Sequence, residues 1–221
     1  MTTLHWEKTR CSVCGVESQY DGIGSTNAFG SADLDTRPPE MERSTIFACV
    51  QRCPECGYCA SDVSESRPGS RVVVSGKEYK GQLNDPEYPE LANSFLCEAI
   101  VEQKAKDYAA ATWALIQAAW VCDDSDRPVQ AKVCRTKAAK MLLIADEHGQ
   151  EVAEQEGAST AILADLLRRA GRSEDAREVI AKRRGGITEG IIVQILDFEA
   201  TLLDKNDVLC NTIAEALGER E

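Results

Sequence analysis

The sequence predicts an α+β chain that is mostly α, a small metal-bound β head followed by a stack of about seven helices. Three observations predict it. Six of the ten cysteines (Cys11, Cys14, Cys49, Cys53, Cys56 and Cys59) fall before residue 60. Proline and glycine punctuate the same stretch, whereas past residue 90 only Pro128 remains of the prolines. Beyond residue 90 apolar residues recur at helical spacing. The division follows: a head over 1–76, a turn-rich linker over 77–90 and a helical part over 91–221.

In the head, Thr45 to Gln51 is β-branched and aromatic and of strand length, and Arg71 to Ser75 is a second strand expectation. Tyr20 to Asp35 reads as a long loop or irregular hairpin. In the helical part, Tyr108, Ala111, Leu115, Ala118, Ala119 and Cys122 share one face, while Trp113, Ile116 and Trp120 make a second. A helix apolar on two faces is packed on both sides. Asp126 reads as the N-cap of a third helix that opens at Arg127-Pro128 and runs to about His148. A fourth covers roughly 150–170 and stops at Gly171, suited to a left-handed cap. The fifth opens with Glu174 and Asp175 and closes with Lys182, Arg183 and Arg184, signs that suit the helix dipole. Ile191, Ile195, Phe198 and Leu202 stripe a sixth, and a short seventh runs from Asp207 to about Gly218.

The metal expectation rests on Cys11-Ser-Val-Cys14-Gly15 and Cys53-Pro-Glu-Cys56-Gly57. Two residues between thiolates let both sulfurs turn to one ion, and the following glycine permits the positive φ the turn needs. Two such knuckles supply four thiolates, the closed tetrahedral set of structural Zn²⁺, with iron the minor alternative. A zinc-ribbon-like head is therefore expected, with Cys11, Cys14, Cys53 and Cys56 as its ligands. Structural zinc contributes about 10–16 kcal/mol in finger peptides. The head is thus expected to depend on the ion, and the helices not. Cys49 and Cys59 are read as plain packed thiols, His5 as a surface residue, and Cys97, Cys122, Cys134 and Cys210 as small hydrophobes on helices.

Lys106–Ala111 and Gly171–Ala176 both read as turns between paired helices, with a small residue, Ala111 or Ala176, where the second helix meets the first. Their spacing approaches two 34-residue periods, so the stack is expected to be right-handed and similar to tetratricopeptide repeats. On that alignment Asp165, Arg168 and Arg169 project into a concave groove and hold a protein or peptide partner through paired guanidinium groups.

The run Cys53-Pro-Glu-Cys-Gly-Tyr-Cys-Ala60, the upstream CxxCG and Ser31-Ala-Asp-Leu-Asp-Thr-Arg-Pro38 resemble the bacterial family known as domain of unknown function 2225. Ala161 to Gly171 and the Ala-Ala-Trp120 helix are similar to the second half of that family, so the resemblance covers about residues 10–184. It departs at Cys59 and at Ala164-Asp165. It implies a bacterial cytoplasmic protein with a zinc-ribbon head and a helical tail, and it implies no activity.

Other classes are disfavoured. The net charge of −12 repels phosphate backbones, so nucleic-acid binding through the ribbon is a minor alternative. No run of apolar residues reaches membrane-spanning length. HExxH, GxSxG, GxGxxG and the P-loop lysine are absent, so no enzyme is expected. The acidic turn Asp123, Asp124, Asp126 reads as solvated, Gly22-Ile-Gly24 as a flexible loop, and Lys132, Arg135 and Lys140 as an exposed basic stripe. The two knuckles also resemble those of rubredoxin, but the segment between them lacks the tryptophan and aromatic shelter of that electron carrier. The reading is a non-enzymatic zinc-binding adaptor with a protein partner.

Overall fold

A computed structural model describes residues 1–219 of the chain. Its elements run in chain order. Strands β1 (Thr3–Arg10) and β2 (Glu17–Ser25) form an antiparallel hairpin, with Trp6 opposite Asp21 and Arg10 opposite Glu17. Two further two-stranded ladders follow, β3 (Ala28–Phe29) with β4 (Glu40–Met41), and β5 (Gln51–Arg52) with β6 (Cys59–Ala60). The helices are α1 (Ser70–Ser75), α2 (Lys77–Leu83), α3 (Glu90–Ala105), α4 (Tyr108–Asp124), α5 (Pro128–Glu147), α6 (Ala158–Arg169), α7 (Ser173–Arg183), α8 (Gly190–Asp204) and α9 (Ile213–Leu217). The fold is α+β and mostly α. No helix among the described residues is long and apolar enough to cross a membrane.

Several local expectations fail for identifiable reasons. Residues 43–49 form a 3₁₀ helix, not a strand. Arg43 is held by Pro38 O and Asp33, and Thr45 Oγ1 donates to Glu42 O, so the chain is turned before any ladder can form. Only Gln51–Arg52 enters a sheet. Arg71 to Ser75 is helical as well. The amides of Val72 and Val73 both donate to Gly69 O, and burial of Val74 outweighs the β preference of three valines. The loop expected from Tyr20 is strand to Ser25, because β1 lies beside it. The linker expected over 77–90 holds α2, whose Tyr79 is 1% exposed. The fourth predicted helix begins late, at Ala158, because Gln150 is engaged elsewhere. Its Oε1 accepts from the amides of Tyr108 and Ala109 at the start of α4. The last helix starts at Ile213, behind a capping box of Thr212 and Glu215.

Other elements follow the sequence. Pro128 sits in the first turn of α5 and Gly171 ends α6 with φ of 79°, but Asp126, expected to cap α5, stands one residue before its N-cap Arg127 with φ of 53°, and α4 is capped by Asp107, whose Oδ1 accepts from Ala110 N. Successive helices pack on one another from α3 to α8. One apolar core runs from Cys11, Tyr58 and Val63 in the head through Phe95, Ile116 and Leu142 to Leu196 and Leu203. The two parts are also tied by backbone. Leu34 N donates to Asn211 O and Ile213 N to Ala32 O, so the segment before α9 lies against the loop that leaves the first knuckle.

Buried charge strengthens that tie. Asp35 is fully buried and its Oδ2 accepts from Trp120 Nε1 at 2.9 Å and from Arg169 Nη1 at 3.0 Å. Arg169 Nη2 reaches Asp123 at 2.8 Å, and Asp123 also accepts from Arg135. Arg168, with no exposed surface, bonds Asp165 at 2.5 Å, Glu199 at 2.9 Å and the carbonyls of Asp207 and Leu209. Burial, with the charge of Asp165 beside it, raises the Glu199 carboxyl well above its usual range. Asp165, Arg168 and Arg169, expected in an open groove, are thus internal and closed to a partner. They lie between α6, α8 and the head, where their charges neutralise one another. Arg135 is likewise internal rather than part of an exposed stripe, and the acidic turn spends Asp123 and Asp124 on arginines, the latter on Arg37.

Asp35→Ala leaves Trp120 Nε1 without its acceptor and Arg169 with Asp123 as its one close carboxylate, and is expected to cost about 1–3 kcal/mol, read as a lower urea midpoint. Glu98, in α3 against Ser61, is pushed up to about 8, chiefly by burial and also by Glu102, against a Ser61 backbone hydrogen bond and Arg67. The folded chain therefore holds this proton above the pH where the unfolded chain, near its ordinary value of 4.5, has lost it. Stability falls as pH rises from about 4.5 to 8, by at most about 1.4 kcal/mol per unit from this group. Glu98→Gln is expected to flatten the urea midpoint across that window.

Candidate metal centre

The two CxxCG segments fold alike. Cys11 N donates to Val16 O at 2.9 Å and Gly15 N to Cys11 O at 2.8 Å. In the second, Cys53 N donates to Tyr58 O at 2.8 Å and Gly57 N to Cys53 O at 2.9 Å. These bonds close each turn and force positive φ on its glycine, 81° at Gly15 and 74° at Gly57. Both sulfurs of each pair are left on the same side.

The four expected ligands come together. The sulfur atoms of Cys11, Cys14, Cys53 and Cys56 all lie within 4.8 Å of one another. Across the two knuckles Cys11 Sγ is 3.7 Å from Cys56 Sγ, and Cys14 Sγ is 3.5 Å from Cys53 Sγ. Four thiolates at the usual metal–sulfur bond length stand about 3.8 Å apart in a tetrahedron. The donor set therefore fits one thiophilic ion, with every corner taken by protein.

Protonated, the cluster is crowded. Burial pushes the Cys11 and Cys56 thiols up, against neighbouring backbone amides. Burial also acts on Cys53, but the amides of Cys56 and Glu55 and the nearby thiols bring it below its ordinary value. An ion removes the conflict by replacing the protons.

The other cysteines stand apart from this cluster. Cys59 is fully buried and its thiol points to Gly57 O at 3.3 Å. Cys97, Cys122 and Cys134 are buried on helices as expected. Cys49 is exposed at the end of the 3₁₀ helix, and Cys210 is exposed in the segment before α9 rather than on a helix.

The second knuckle is braced by α2. Tyr79 Oη donates to Gly57 O and accepts from Cys59 N, both at 2.9 Å. Leu83 packs against Gly57 so closely that a Cβ there would stand 2.4 Å from its Cδ2. The first knuckle is braced by Arg71 of α1, which donates to Val13 O at 2.7 Å. Sequence reasoning missed these braces because Tyr79 and Leu83 lie in the stretch assigned to a linker and Arg71 in one read as a strand.

Comparison with known protein families, with curated proteins and with solved structures finds no match to this chain.

Gly57→Ala is expected to weaken metal retention at least tenfold in a chelator competition. It meets both the positive φ and the Leu83 clash, whereas Gly81→Ala, in α2 with open space around it, retains wild-type affinity.

Proposed function

We propose that the protein is a zinc-stabilised, non-enzymatic adaptor, with a zinc-ribbon-like head and a tetratricopeptide-like helical part whose surfaces hold a protein partner. The observation that carries this reading is the closed set of four sulfurs. A catalytic zinc keeps one position open for water or substrate, whereas here four thiolates converge and leave none. Zinc is favoured over iron because it is the common ion of a closed four-cysteine site, and because the segment between the knuckles has no tryptophan of the kind a rubredoxin-like centre carries. The chain's net charge of −12 argues against a nucleic-acid role for the ribbon.

Elemental analysis of the purified chain is expected to give one zinc per molecule and a colourless solution. Cys53→Ser with Cys56→Ser is expected to bring the zinc content near zero. A visible iron–thiolate absorption band retained through purification would overturn the zinc assignment.

A further inference from the structure

The residues expected to form a peptide groove are internal, but a different groove is open. It has a volume of about 720 Å³ and lies between α2, α3 and α5, with α4 beneath it. Two of the bordering helices give a stripe at helical spacing: Leu96, Ile100 and Gln103 from α3, and Lys137, Met141 and Ile144 from α5. From α2 come Lys77, Glu78, Gly81 and Gln82. The floor, completed by Leu115, is apolar, with Ile100 and Ile144 half-buried.

The rim is charged. Lys77, Lys137 and Lys140 are exposed, and none makes an ion pair among the described residues. Glu78 and Asp85 are the acidic members of the lining. In a chain of net charge −12, a rim with three unpaired lysines against two carboxylates is a local reversal of sign. The α2 wall does not need to form on binding, because the opposite face of that helix is pinned to the second knuckle through Tyr79 and Leu83.

We infer that this groove binds a short amphipathic segment of a partner protein, with apolar side chains on the floor and acidic residues beside Lys77, Lys137 and Lys140. The inference rests on the adaptor reading and adds the chemistry of the partner. An open trough, rather than an enclosed cavity, suits a segment that keeps its polar face in water. The stripes of α3 and α5 match the spacing at which a helix presents successive apolar anchors. Long-range repulsion from the acidic chain slows encounter with any acidic partner, so recognition depends on these lysines acting at close range.

The test is selection of random twelve-residue peptides on the zinc-loaded full chain, followed by titration of the enriched peptides. Apolar–acidic peptides are expected, and Lys137→Glu with Lys140→Glu is expected to weaken them about tenfold or more. Exchanging the peptide's acidic residues for lysine should restore binding to that double variant. Lys132→Glu, on the same helix but outside the groove lining, should leave affinity unchanged; circular dichroism checks that each variant is folded. Enriched peptides that bind the double variant as tightly as the native chain would overturn the groove while leaving an adaptor with another surface. A basic consensus would overturn it as well. Failure to enrich any peptide overturns the groove too, and recovery of a stable protein partner by cross-linking then shows whether the adaptor reading survives it.

Discussion

The convergence of four sulfurs from two turns is the constraint on which the head depends. The turns are far apart in sequence, and the chain between Cys14 and Cys53 has to leave and return to within a few ångströms of its start. Such a closure costs entropy that the small ladders of the head, all but the first hairpin only two residues long, offset poorly. A tetrahedral ion offsets it in one place. The returning chain also serves the rest of the molecule, because the loop it makes carries Asp33, Leu34 and Asp35 to the helices.

At the far end of that loop the molecule depends on buried charge. Asp35, Asp123 and Asp165 face Arg135, Arg168 and Arg169 between the head, α4, α5 and α6, and Arg168 also bonds the Glu199 carboxyl of α8. Such networks add little net stability over an apolar core of equal shape, but removing one member leaves its partner uncompensated. Their geometry is directional, so they fix where the loop and the segment before α9 sit. Arg168 holds that segment by two carbonyls as well as by carboxylates. Its partners outside its own helix, Glu199, Asp207 and Leu209, lie 31, 39 and 41 residues along the chain.

The second knuckle links these features to the outer surface. Its braces, Tyr79 and Leu83, belong to α2, and the other side of α2 forms a wall of the open groove. Metal site and groove therefore share one short helix.

The metal ligands and most long helices were legible in the sequence because their signals are local. CxxCG sets a turn by itself, and Pro128 and Gly171 act within a few residues of where they stand. The valines of α1 and the Thr45 segment misled because β propensity is weak beside a turn that its neighbours impose. Asp165, Arg168 and Arg169 misled for a related reason: charge on a helix reads as exposed until its partners are known, and Asp35 and Glu199 come from distant parts of the chain. By itself the sequence determined which four sulfurs come together and about where helices α4 and α5 begin, since the turns involved depend on contacts within one or two turns. Only the tertiary structure decided which charges are internal, that the supposed linker is a brace, and where the open groove lies. Those depend on what surrounds each residue in space, and that is set by segments far away along the chain, as when Ala32 meets Ile213.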